Sequence, residues 1–326
     1  MTMADVAREA KVSKITVSRV IRTPEKVRPE TRDRVEAAIR ALGYVPDEAA
    51  GALSTGKSST VSALISDLDS SIYAPTVDGL TAYLRQARYE LLVASTGFSL
   101  DVETELLPIV LSRHPAGLVF SSPEHSEDVK SLLRRSRVPI VEVWEIPEEP
   151  LDMAVGFSNF EAARAMTKLL CDTGRRRIAF IGVESQMIGR RRYEGYASVL
   201  REHGLEEPPR VPAEIQNAPR VERGALAMRW FLERSPDIDA IFCMNDWIAL
   251  GAINEARRSG KSVPADIAIA GLGDVDFGRE RGLGITSVHI PGIEIGKTAA
   301  RLIVERNRGK EAISNVVDLG FDIVRR

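Results

Sequence analysis

The chain has 326 residues, 44% hydrophobic and 28% charged, with a net charge of -2 and two cysteines. That length allows two or three domains with a packed core, and the composition is that of a globular protein rather than a disordered or fibrous one. Cys171 and Cys243 lie outside any paired motif, which argues against a disulfide framework or a zinc site and fits a reducing cytoplasm. No stretch approaches the roughly 20 apolar residues that span a bilayer, and no basic start leads into an early apolar run, so neither export nor membrane insertion is expected.

The charge is unevenly spread. Residues 1 to 60 carry eleven Lys or Arg against eight Asp or Glu, a balance of +3, which leaves -5 for the remainder. Thr2 is placed to cap a first helix, with Asp5 at capping-box spacing and Val6, Ala7 and Ala10 forming an apolar stripe. Lys11 and Val12 make a tight connection, Ser13 caps a second helix from Lys14 to about Ile21, and a third runs from Pro29 to a stop at Gly43. Short helices joined by a tight turn describe a helix-turn-helix unit. On the second helix Val17, Val20 and Ile21 share one face, while Ile15, Ser18 and Arg19 share the opposite one. An isolated domain gains nothing by exposing Ile15, so that face is expected to read a partner.

The stretch "TMADVAREAKVSKITVSRVIRTPEKVRPETRDRVEAAIRALGYVPDEAAGAL" resembles the DNA-binding headpiece of the lac repressor family. The resemblance implies that Lys14, Ile15 and Arg19 face base edges in the major groove while Thr16 and Ser18 bond phosphates. The chemistry agrees, because Arg donates two hydrogen bonds to guanine, Ile contacts a thymine methyl, and hydroxyls suit phosphate oxygens. It also implies that "DEAAGAL" is a hinge helix that orders in the minor groove, with Leu53 as the wedge between base steps and Ala50 beside it. Asp47, Glu48 and Gly51 depart from that pattern.

Thr55 to Thr60 reads as a linker. Strands and helices then alternate: "VSALI" and a helix near Pro75 to Gln86, "ELLVA" and a helix near Val102 to Leu111, "AGLVF", a helix to Arg135, and "PIVEV". A second series follows, with a helix from Phe160 to Thr173, "IAFIG", a helix from about Arg191 to His203, a helix ending near Arg234, "AIFCM", a helix to Gly260, and "IAIAG". The last stretches, "ITSVHIP", a helix from Ile293 and "NVVDLGF", are expected to complete the first sheet. Such alternation implies parallel sheets with helices on both faces. Two doubly wound lobes leave a cleft at the carboxyl ends of their strands.

This half also resembles the lac repressor family, whose sensor is similar to periplasmic sugar-binding proteins, through "RRRIAFIG", "RYEGY", "CMNDWIALGA" and "VPADIAIAGLGDVDFG". "LDMAVGFSNFEAARAMTKLL", "FCMNDWIALGA" and "VDLGF" look like the gluconate-utilisation repressors within it. Mapped by position, Tyr73, Glu161, Arg192, Asn245 and Asp276 are the effector candidates, with Arg190 and Arg191 as further candidates for a carboxylate fork. Asn245 also reads as a helix N-cap. Gly273 and Ser158 stand where many sugar-responsive members carry Asp, which argues against a standard hexose clamp.

His114, His125, His203 and His289 lack Cys or carboxylate neighbours at metal-ligand spacing, and "GLGDVDFG" lacks the third glycine of a dinucleotide fingerprint. No Walker loop or nucleophile elbow occurs, so no catalysis, cofactor or metal is expected. The expected architecture is an all-α helix-turn-helix headpiece (1–46), a hinge helix and linker (47–60), and an α/β sensor of two doubly wound lobes that also dimerises (61–326). The expected function is sequence-specific transcriptional regulation, by repression, under a sugar-acid effector such as gluconate, with operator DNA and a second copy as partners and no membrane. No heptad tail follows "DIVRR", so a dimer without a tetramerising extension is expected. The alternative is a small-molecule binding protein whose headpiece no longer binds DNA specifically.

Overall fold

The computed structural model describes residues 1–45, 58–69, 71–280, 282–310 and 314–326. It separates into two compact units, Met1–Ser59 and Thr60–Arg326. Ala50 and Leu53, expected in the hinge helix, lie outside the described residues.

In the first unit, α1 (Met3–Glu9), α2 (Lys14–Arg22) and α3 (Pro29–Leu42) enclose a core of Val6, Ala7, Ala10, Val17, Val20, Val35 and Ala38. Asp5 accepts from the Thr2 amide at 2.9 Å and from its hydroxyl at 2.8 Å, which anchors the start of α1. Ser13 Oγ accepts from the Thr16 amide at 3.2 Å and so caps α2. At the end of α3, Gly43 takes a φ of 57°, a conformation that favours glycine.

The second unit contains two sheets. The first has the order β10-β5-β4-β3-β1-β2 and is parallel throughout; its strands are β1 (Thr60–Ile65), β2 (Glu90–Ser95), β3 (Gly117–Phe120), β4 (Ile140–Glu145), β5 (Met153–Phe157) and β10 (Val316–Asp318). Around it lie α4 (Ala74–Gln86), α5 (Leu100–Leu111), α6 (Glu127–Ser136) and α12 (Gly292–Asn307), the last packed against α4. The second sheet has the order β11-β9-β8-β7-β6, formed by β6 (Ile178–Ile181), β7 (Ala240–Cys243), β8 (Ala268–Leu272), β9 (Thr286–His289) and an antiparallel β11 (Asp322–Val324). Its helices are α7 (Asn159–Asp172), α8 (Met187–Glu202), α9 (Ala213–Gln216), α10 (Arg220–Arg234) and α11 (Asp246–Arg258). Strands buried on both faces, such as β3, β4 and β7, are continuous apolar runs broken by few polar residues.

The closing stretches differ from expectation. The strand in "ITSVHIP" is β9 and joins the second sheet beside β8, while only β10 within "NVVDLGF" returns to the first. The pattern of an apolar strand is the same for either sheet, and only its pairing decides which one it extends. Helix α8 begins four residues before Arg191, at Met187, and β5 is a strand additional to the expected order. Among the described residues no helix is long and apolar enough to cross a membrane.

Candidate functional site

On α2 the two faces separate as the periodicity requires. Val17 and Val20 are buried, Lys14, Ile15 and Arg19 are exposed, and Thr16 and Ser18 lie between. Ile15 is 65% exposed, a large apolar side chain flanked by two cations with no core to join. The Thr16 hydroxyl sits 3.0 Å from Ser13 Oγ, so it participates in the cap of its own helix.

Between the lobes of the second unit lies a cavity of about 600 Å³, walled by Tyr73, Trp144, Arg192, Arg220, Arg223 and Asn245 among others. Arg192, on α8, is 4% exposed; its Nε donates to Asn159 Oδ1 at 2.7 Å and its Nη1 to the Met244 carbonyl at 2.6 Å. Asn159 in turn donates from Nδ2 to Glu145 Oε2 at 2.6 Å, so a chain of hydrogen bonds from β4 through the start of α7 fixes the guanidinium. Burial lowers the Arg192 pKa to about 10, against the opposing pull of Tyr73 and Glu145. Asn245 caps α11, accepting from the Ile248 amide at 3.0 Å, and faces the same cavity.

Tyr73 packs edge-on against Trp144 with ring centroids 4.8 Å apart, and burial pushes its phenol up to about 12. Trp144 has a φ of 82°, unusual for a bulky residue in a strand, and it pairs with Gly156, where a Cβ would press on the Trp144 backbone. Its indole donates to Thr76 Oγ1 at 3.1 Å.

Further polar ties join the lobes around this cavity. Arg220 of α10 pairs with Asp67 and Asp69, the latter at 3.0 Å, on the segment after β1. Arg190 of α8 reaches Glu124 at 2.8 Å, and Trp247 donates to Ser71 Oγ at 3.2 Å.

The structure thus brings Tyr73, Arg192 and Asn245 together and places the other candidates elsewhere. Glu161 sits in the first turn of α7, its side chain 59% exposed and 3.6 Å from Arg164, because the Ser158 cap turns that position toward solvent. Asp276 is fully exposed and lines a neighbouring groove with Gly273 and Trp247. Arg190 and Arg191 are absent from the cavity wall; Arg191 lies 3.6 Å from both Glu148 and Glu194. Gly273 has a φ of 124°, which restricts that position to glycine. Sequence reasoning missed Arg220, Arg223, Asn159 and Trp144. The start of α10 was the available signal, since "NAPR" ends a loop with proline ahead of an arginine-bearing first turn.

A three-helix unit presenting a basic and apolar helix face, and a two-lobed α/β unit with a cationic cleft, define the class: a ligand-responsive DNA-binding regulator. The chain belongs to the LacI family. Residues 2–47 match the model of bacterial regulatory proteins of the lacI family, and residues 167–326 that of a periplasmic binding protein-like domain. The chain is 32% identical to the HTH-type transcriptional regulator IdnR of Escherichia coli K12, covering 99% of this chain and 97% of that one. To the regulator GntR of the same strain it is 32% identical, over 98% of this chain and 96% of the relative. A crystal structure of a LacI family transcriptional regulator from Silicibacter pomeroyi superposes with a TM-score of 0.89 at 30% identity, over 100% of this chain and 98% of that one. The relatives are transcriptional regulators rather than enzymes, and this chain is a DNA-binding transcriptional regulator of their family.

Proposed function

We propose that the protein is a repressor that acts in the cytoplasm as a homodimer on a near-palindromic operator, released by a sugar acid such as gluconate. Lys14, Ile15 and Arg19 read bases and Thr16 and Ser18 hold phosphates, with Ala50 and Leu53 of the segment at 47–60 entering the minor groove between the headpiece (1–46) and the sensor (61–326). The observation that carries the DNA-reading half is Ile15, exposed between Lys14 and Arg19 on a helix whose other face is fully committed to the core. A two-fold symmetric protein requires two half-sites. Support for the second copy comes from the apolar side chains left exposed on β2 and α5, Leu92, Val93 and Ile109. Tyr73, Arg192 and Asn245 hold the effector, Arg192 supplying the cation and Asn245 the donor and acceptor that hydroxyls need.

The test is binding to a duplex from upstream of its own gene at fixed salt, since phosphate contacts make affinity salt-dependent, with and without gluconate. Specific binding weakened by gluconate supports the whole reading. Specific binding indifferent to gluconate leaves the regulator and removes the effector, and the absence of specific binding favours a small-molecule binding protein with a disabled headpiece.

A further inference from the structure

Resting on the sugar-acid reading, a more specific assignment follows from the charges around the cleft. Five charged residues line the cavity, namely Arg192, Arg220 and Arg223 against Asp67 and Asp69, an excess of one positive charge. The pairing within this set is unequal. Arg220 is held by both aspartates. Neither Arg192 nor Arg223 has an ion-pair partner among the described residues; the oxygens that accept their hydrogen bonds are neutral, with Glu145 acting on Arg192 only through Asn159. Arg223 lies one helical turn after Arg220 and is fixed by the loop before α10: its Nε and Nη2 donate to the Ala218 carbonyl at 3.2 and 2.8 Å. That grip uses one edge of the guanidinium and leaves Nη1 for another acceptor. Burial, with Arg220 beside it, lowers the Arg223 pKa to about 10, so it remains a cation at neutral pH with no carboxylate paired to it.

Helix α10 is itself fixed in place. A Cβ on Gly224 would collide with the Ile248 carbonyl, and one on Gly251 with the Val221 carbonyl, so the first turn of α10 lies directly on α11. Its cap, Pro219, places no side chain over the first amides. An oriented cation beside a cleft of low dielectric attracts an anion more strongly than one in water.

We propose that Arg223 is a specificity-determining residue of the effector site, which receives the carboxylate of a singly charged polyhydroxy acid and, through that contact, rejects neutral polyols. Arg192, on α8, contributes the second cation. A single carboxylate matches the single excess positive charge, whereas a ligand that also bears a phosphate overcompensates it.

Calorimetric titration of the full-length protein with gluconate, with sorbitol as the neutral analogue of the same chain length, tests this. The wild type is expected to bind gluconate at least tenfold more tightly than sorbitol, and Arg223→Gln to lose roughly tenfold or more in gluconate affinity, the loss associated with one charge-assisted hydrogen bond. Sorbitol affinity stays unchanged in that variant, a selectivity shift that a general loss of structure does not produce. Arg223→Lys, which keeps the charge, recovers part of the loss and serves as the measurement if Arg223→Gln fails to fold; a lysine variant with no preference for gluconate over sorbitol then counts against the assignment. Gluconate binding to a folded Arg223→Gln within tenfold of wild type overturns the role of Arg223 while leaving the sugar-acid reading in place. A wild type that binds neither gluconate nor another aldonate overturns both.

Discussion

Arg19 and His125 show how differently a charged side chain behaves when water reaches it and when it does not. Arg19 is exposed on a helix and has the geometry for a two-point contact with guanine, so Arg19→Ala is expected to cost about 1 to 3 kcal/mol in operator affinity and to relax selection at one base pair. Operator selection with the variant checks this: an unchanged preferred sequence removes Arg19 from the reading face. His125, which has no carboxylate at metal-ligand spacing in the sequence, lies buried with Nδ1 2.6 Å from Glu103 and Nε2 3.5 Å from Glu142, both distant in the chain. Burial pushes its pKa down, but hydrogen bonding and the charges of the two glutamates outweigh this and raise it to about 9. The folded value lies above the ordinary 6.5, so this stabilisation is complete below pH 6.5 and disappears as pH rises through about 9. Denaturant titrations at pH 6.5 and 9.5 are expected to show a drop in stability that His125→Gln largely abolishes; an equal drop in both proteins assigns the effect to other groups.

Among the elements, α10 shows what periodicity conceals. Apolar spacing located its C-terminal half, but its first turn is polar and follows a loop, so Arg220 and Arg223 carried no periodic signal and came to the cleft only through packing on α11. The close approach at Gly224 is the controlling contact. Gly224→Ala is expected to destabilise the protein by about 1 to 3 kcal/mol, because the added methyl meets a backbone carbonyl that cannot move without displacing α11; a melting temperature equal to wild type contradicts that account. The headpiece, by contrast, was legible almost to the residue, since caps at Ser13 and Gly43 and the alternation of Val17 and Val20 with Ile15 and Arg19 are local signals. Of the effector candidates, Tyr73, Arg192 and Asn245 line the cleft, whereas Glu161 is exposed beside Arg164 and does not reach its wall. Strand β2 gives a prediction of the same kind: Leu92 is 47% exposed at the edge of the first sheet, and Leu92→Glu is expected to shift a dimer toward monomer in sedimentation.

For the molecule as a whole, the proposed release of operator by gluconate carries a linkage: operator must weaken gluconate binding by the same factor that gluconate weakens operator binding. Calorimetry with and without a saturating duplex measures that factor, and a gluconate affinity that the duplex leaves unchanged contradicts the coupling. The path of the chain between its two sheets sets a further constraint. The first lobe is composed of residues 60–157 together with α12 and β10, which come after every strand and helix of the second lobe except the short β11. On the ribosome, therefore, the lobe begun first is completed only after nearly all of the other has been made. Until Asp318 emerges, the face of α4 that α12 covers and the open edge of β5 remain bare, in a nascent chain whose second sheet is already largely synthesised. A chain halted at Pro291 should accordingly be captured by chaperones through its first lobe, and the folding of that lobe, although it is encoded early, should wait until α12 and β10 have been made.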